Sequence, residues 1–425
     1  MGEADETIDL VTRIPAQLKG SMLDPEVANS RLIPRNGRIV EFRVNETKID
    51  LTGITKVDVG REWEPEIKTG PDGFHDLRFK DPGASRLRDA LLSSARQGIY
   101  EKGSFEEQEA CGEKVTALWQ EAQEKASKQV LDYFERIQKE HVPVILFNLR
   151  LPGQKIFYYR VGNFVEDQMA IPKGLIRSAQ AYLDIQGRLE ERTLSGEIVI
   201  FDLCDLIDTR EVVEVPNERY PFEAAACLFL PLIGGYCADN GDIFIISGGD
   251  KSKDAVGNDT VAIDSYHLQV IRHELAHNID HATDLAGDRA TDPQTEGFAS
   301  MAQFYFSFEK LRLEFWAEHG QVEVKKETLA VLFSSSEKEW KHLGNDYLRK
   351  FTGAFYCYIY EKLGALAVKR FYSLISGNVG GKYARYERNC AGNLIKALET
   401  AANYKENFDT GEFITAFITE MNEAE

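Results

Sequence analysis

The segment "VIRHELAHNIDHATD", beginning at Val270, sets His273 and His277 four residues apart, with Glu274 directly after the first histidine. On an α-helix, residues four apart project from one face about one turn apart, so both imidazoles can reach a single ion at roughly 2 Å. Glu274 is turned about 100° from His273. That keeps its carboxylate out of the ligand set but beside it, where it can hold and deprotonate a water activated by the ion. The chemistry implied is metal-assisted hydrolysis. It calls for a third protein ligand, because catalytic zinc takes three and keeps one position open.

Three residues compete for that place. His281 lies on the same helical face but eight residues from His273, about 12 Å of rise, too far for both to touch one ion. Asp284 fits no ligand spacing. Glu296 opens the next helix: in "TDPQTEGFASMAQFYF", Asp292 reads as the N-cap and Pro293 as the first helical residue, which puts Glu296 in the first turn. The intervening "LAGDRATD" can reverse the chain and bring this helix back along the first. Asp280, three residues after His277, is spaced to orient a ligand histidine through its second ring nitrogen.

Eighteen residues separate His277 from Glu296, and "TEGFAS" resembles the N-E-G-F-A segment that carries the third zinc ligand in gluzincin metallopeptidases of the aminopeptidase-N-like branch. The resemblance implies one zinc per chain, held by His273, His277 and Glu296, with Glu274 as general base. "YEKLGALAV" is similar to the branch's Y-E-K-G segment, interrupted here by Leu363. It implies that Tyr360, sixty-four residues after Glu296, donates to the oxyanion; Tyr356, one turn earlier, is the reserve and His342 the next candidate. The branch's G-A-M-E-N exopeptidase segment would stand near "GGYCADNG", where Asp239 and Asn240 take the places of its acid and amide. "NIDHATD" replaces the usual aromatic-rich continuation, so exo- or endo-action stays open. "HELAHNID" is equally similar to the lethal-factor-like endopeptidases, but Arg289 stands where their tyrosine would be.

The elements that must position these residues follow from patterning. "RIVEFRVNETKIDLTGITKVDV" alternates apolar and polar residues and predicts a short antiparallel sheet, within a β-rich module over residues 1–83 that ends in the linker-like "KTGPDGFHDLRFKDPGAS". A long surface helix follows in "SFEEQEACGEKVTALWQEAQEKASKQVLDYFERIQKEH". Strand-like runs "VPVILFNL", "KIFYYRVG", "GEIVIFDL" and "GDIFIISGG", with a helix near Lys173–Arg188, complete an α/β half over residues 84–281 that ends in the His273 helix. "GDIFIISGG" is a candidate for pairing with a peptide backbone. Residues 282–425 predict a helical half, with helices at Pro293–Leu313, Asn345–Leu363, Leu366–Ile375, Ala391–Ala402 and Glu412–Met421. The expected class is α+β, with a zincin-like catalytic domain.

Bulk properties narrow the function classes. A chain of 425 residues has room for two or three subdomains and a water-poor site between them. Lys plus Arg number 50 against 69 for Asp plus Glu, and the resulting −19 repels phosphate backbones and anionic lipid. Nucleic acid and membrane are therefore not expected partners; a peptide or protein substrate is. The six cysteines form no C-x-x-C pair and read as free core thiols. "MGEADETIDL" lacks a basic segment followed by an apolar run, which predicts a cytoplasmic protein or one delivered without a cleaved leader. The reading is a zinc-dependent peptidase. Its rivals are a zinc-bearing but inactive scaffold and a secreted effector protease with a single protein target.

Overall fold

A computed structural model describes residues 8–9, 30–35, 38–44, 47–50, 55–57, 60–70, 75–104, 112–139, 141, 144–151, 154–162, 173–189, 196–205, 235–237, 241–245, 251–253, 259–261, 265–283, 285, 291–320, 324–333, 345–377, 390, 392–402 and 408–423. They form a mixed α/β protein. Two compact units are resolved, one from Met1–Ala179, Ser195–Ala238 and Asp242–His267, the other from Gln180–Leu194, Asp239–Gly241 and Leu268–Glu425. Among the described residues, no helix is long and apolar enough to cross a membrane.

The first unit begins with β1 (Ile8–Asp9), β2 (Ser30–Arg35), β3 (Arg38–Val44), β4 (Thr47–Asp50) and β5 (Thr55–Val57), then β6 (Glu66–Thr69) and β7 (His75–Arg78). Helices α1 (Pro82–Ser104) and α2 (Gly112–Lys139) follow, then β8 (Val144–Leu151), β9 (Gln154–Gly162) and α3 (Lys173–Leu189), the last passing into the second unit. It closes with β10 (Gly196–Asp205), β11 (Gly235–Cys237), β12 (Ile243–Ile245), β13 (Lys251–Lys253) and β14 (Asp259–Val261).

Ten strands share one sheet in the order β1-β2-β3-β4-β8-β9-β10-β12-β11, with β5 also on β8. The early strands, expected as a module of their own through residue 83, thus join the later ones: β4 meets β8 at Asp50 and Arg150, and β5 sets Lys56 opposite Ile145. Pairing satisfies backbone groups that a separate sheet would leave on an open edge. "GDIFIISGG" supplies β12, both of whose edges are taken, by β10 and β11, so over Ile243–Ile245 it offers no place for a peptide strand.

Register also builds the core. Tyr159, Phe201 and Phe244 stand opposite one another on β9, β10 and β12, and their rings stack at 5.1 Å between successive centroids. Leu87 of α1 and Val130 and Phe134 of α2 close over this face, with Trp63 buried among them. The linker-like stretch is in part the hairpin β6–β7, with α1 starting directly after it. Asp81 caps α1 by accepting from the Ala84 N–H at 2.9 Å, and Pro82 takes the first helical position. The Asp-Pro pair that reads as a turn is a helix start.

The second unit continues with α4 (Ser265–Thr283), α5 (Asp292–Gln303), α6 (Phe308–His319), α7 (Lys326–Leu332), α8 (Asn345–Leu363), α9 (Ala365–Ile375), α10 (Leu394–Ala401) and α11 (Thr410–Asn422). All nine residues from Phe351 to Ile359 are buried, the mark of a helix enclosed on every side. Phe355 packs on Phe417 of α11, and Tyr356 on Tyr372 of α9. Against α5, α8 approaches at backbone distance: a Cβ on Gly297 would stand 2.6 Å from the Thr352 side chain, and one on Gly353 would stand 3.0 Å from the Gly297 carbonyl oxygen. The single helix expected over Pro293–Leu313 breaks after Gln303, because Tyr305 and Phe306 adopt left-handed backbone angles, φ 62° and 59°, before Ser307 caps α6. Cys357 and Cys390 are buried free thiols, as the cysteine pattern implies.

Candidate metal centre

Helix α4 carries the two histidines, and its sequence leaves little of it exposed. From Leu268 to Asp280 only Gln269 and His277 are not fully buried. Three contacts fix its place. Asn278 donates through Nδ2 to the Gly241 carbonyl oxygen at 2.6 Å, where φ of 82° and the approach of that amide both require glycine. The Tyr372 hydroxyl donates to Asp280 Oδ2 at 2.6 Å, and Ser373 Oγ donates to the Leu285 carbonyl just past the helix end. Helix α5 starts one residue earlier than expected, with Thr291 at the N-cap, whose N–H donates to Gln294 Oε1 at 3.3 Å.

These two helices bring together His273, His277 and Glu296, the one group of three potential metal ligands among the described residues. His273 Nε2 lies 3.1 Å from Glu296 Oε2, His277 Nε2 lies 3.4 Å from Glu296 Oε1, and the two Nε2 atoms are 3.2 Å apart. Ligand atoms each ~2.0–2.1 Å from a tetrahedral ion are about 3.3 Å from one another, so these separations have the size that zinc requires.

The hydrogen bonding agrees. His273 Nδ1 is 3.1 Å from Gln303 Oε1; an amide oxygen only accepts, so Nδ1 carries the proton and Nε2 presents a lone pair. That lone pair faces a carboxylate oxygen and a second imidazole nitrogen, an arrangement that needs a cation or a shared proton at its centre. Burial opposes a charge on His277, but Glu296 outweighs it, with Glu274 and Asp280 adding to the effect, and the imidazole is pushed up to about 9. Burial likewise works against ionisation of Glu296, yet the two histidines hold its carboxyl well below the usual value. The cluster attracts positive charge.

Access is uneven. The His273 and His277 side chains are 11% and 14% exposed, while Glu296 keeps 40%, so solvent reaches the cluster from the Glu296 side. Glu274 is buried at 4%. Burial lifts its carboxyl above the usual value against the pull of His273 and His277; Glu296 adds to the lift and Arg349 draws it down. A buried carboxylate so placed has the raised proton affinity of a base.

Of the other expected residues, His281 is exposed, on the solvent side of α4. Tyr360 packs its ring on Phe306 at 5.0 Å and its phenol lies beside Arg188. Tyr356 is buried in the aromatic core, its hydroxyl near Asp280. Asp239, Asn240, Asp284, Arg289 and His342 lie outside the described residues. Gln303 went unanticipated, although it follows Glu296 by seven residues, two helical turns on one face. No protein-family model matches the chain, and no curated protein matches it.

Proposed function

We propose that the chain is a zinc-dependent peptidase with a zincin-like catalytic unit of gluzincin type. The observation that carries this reading is the mutual 3.1–3.4 Å spacing of one carboxylate and two imidazole nitrogens, with a buried glutamate next to the first ligand on the same helix. His273, His277 and Glu296 would hold the ion, and a zinc bound there would supply the Lewis acidity that polarises a peptide carbonyl and acidifies water.

The rest falls to the chain's own side chains. Glu274 takes the proton from the attacking water and passes it to the leaving amine, which its burial favours by raising its affinity for that proton. Gln303 holds His273 in the tautomer that presents Nε2 to the ion. Asp280, anchored by Tyr372, places a negative charge behind His277. Burial of both histidines and Glu274 keeps water away from all but the Glu296 side, where a peptide enters. Tyr360 takes part as a neighbour of Arg188.

The test is metal analysis of the purified chain beside a digest of mixed peptides read by mass spectrometry. One zinc per chain with cleavage is the expected result. Zinc without cleavage of any peptide would give the site to the scaffold reading, and no zinc would end both.

A further inference from the structure

Immediately after Gln303, α5 ends in Phe304, Tyr305 and Phe306. The Phe306 N–H donates to the Met301 carbonyl at 2.8 Å and the Tyr305 N–H to that of Ala302 at 3.0 Å, closing the helix through two left-handed residues. Such positions ordinarily go to glycine. Here they turn an aromatic ring outward onto cations. The Arg188 guanidinium carbon lies 3.8 Å from the Tyr305 ring centroid, that of Arg272 lies 4.6 Å away, and Lys310 Nζ 5.6 Å away. Arg188 also lies over Phe306 at 5.7 Å, and Phe306 in turn packs on Tyr360.

Three features make Arg188 a ligand-binding group. A guanidinium carries five N–H donors, and those that the Tyr305 and Tyr360 hydroxyls do not take remain for a planar acceptor. Among the described ion pairs none holds Arg188, and the groups beside it that favour its charge are the phenols of Tyr305 and Tyr360, acting against burial. Arg188, Tyr305 and Tyr360 are each partly exposed. In a chain of net charge −19, this is a local concentration of cations. Its place ties it to the metal centre twice over. Arg272 directly precedes the ligand His273, and Tyr305 stands two residues past Gln303, which holds that same histidine.

We propose that Arg188, braced by Tyr305 and Tyr360, binds a carboxylate of the peptide substrate and so sets the specificity of the site. The acceptor is a peptide carboxylate, at the C-terminus or on an Asp or Glu side chain. Both are planar, two-oxygen anions that match the guanidinium fork. This inference rests on the peptidase reading, and its test is arranged to fail separately from it.

Peptide pairs identical except for a free or amidated C-terminus, and pairs with Asp or Asn, or Glu or Gln, at positions flanking the scissile bond, are compared in two measurements. One is cleavage by the full zinc-loaded chain; the other is binding to zinc-loaded Glu274→Gln by fluorescence anisotropy. The acid member should be favoured by about tenfold or more through KM and through Kd, the scale of a charge-assisted hydrogen-bond pair. The terminal and side-chain pairs tell which carboxylate is bound. Arg188→Gln should bring the acid-to-amide ratio close to one in both measurements. Arg188→Lys, which keeps the charge but loses the fork, should leave a reduced preference, and an undiminished one overturns the assignment even where Arg188→Gln does not fold. No preference in the parent, or one that survives Arg188→Gln, also overturns it. If no peptide is cleaved, the peptidase reading falls, while the binding ratio on Glu274→Gln still decides the subsite in either direction.

Discussion

His273 Nδ1 stands 3.1 Å from Gln303 Oε1, while Nε2 of the same ring faces Glu296 Oε2 at 3.1 Å. Outer partners of this kind typically account for 10–100-fold in metal affinity. Gln303→Ala should therefore weaken zinc binding by about that factor in a chelator competition titration. Gln303→Glu, which keeps an acceptor oxygen, should recover most of it. Unchanged affinity in Gln303→Ala would remove the residue from the site.

Removing one of three ligands leaves too few contacts to hold a four-coordinate ion. His273→Ala, His277→Ala and Glu296→Ala should each lose zinc after dialysis, as read by metal analysis. His281→Ala, at an exposed position on α4, should keep it. Retention in all three ligand variants would refute the proposed centre.

Glu274→Gln fills the same space but cannot accept a proton. Zinc content and melting temperature should be preserved, and turnover should drop by about 10²–10⁴-fold, the range of a positioned acid–base group. A variant as active as the parent would exclude Glu274 as the base.

Gly297 follows Glu296 and touches α8 at backbone range. Alanine would gain up to ~1 kcal/mol in helix propensity, but its Cβ would lie 2.6 Å from both Cβ and Cγ2 of Thr352. Overpacking of this kind costs about 1–3 kcal/mol, so the steric effect wins. Gly297→Ala should melt lower than the parent and, by shifting Glu296, bind zinc more weakly; a variant with both values unchanged would mean that α5 and α8 are not in contact there.

Tyr360→Phe separates two roles for one hydroxyl. As a brace for Arg188 it should raise KM for carboxylate-bearing peptides and leave kcat nearly untouched. As an oxyanion donor, the role implied by the "YEKLGALAV" segment, its loss would lower kcat by about 10²-fold for every substrate. The placement of the ring against Phe306 and Arg188 favours the first outcome.

What could be read from sequence follows the range of the interactions concerned. The His273–His277 helix and the position of Glu296 on the next one were legible because helical spacing and an Asp-Pro start are local signals. The break after Gln303 was not. No glycine or proline marks it, and the cations that lie over the Tyr305 ring come from α3 and α4, which no local window of sequence contains. Joining of the early strands to β8 was hidden for a similar reason, since Asp50 and Arg150 are a hundred residues apart. The β6–β7 hairpin was lost in a segment whose "GPDG" reads equally as linker and as turn.

The left-handed pair at the end of α5 also sets two selective pressures against each other. Aromatic residues held in that region cost of order 1–3 kcal/mol each, which glycine or asparagine at Tyr305 would largely relieve. Enrichment for heat resistance alone therefore pushes this position toward residues that cannot stack on Arg188. On the proposed role of Arg188, an aromatic side chain at Tyr305 trades stability for recognition, and its exchange for glycine would be expected to raise the melting temperature while abolishing the preference for carboxylate-bearing peptides.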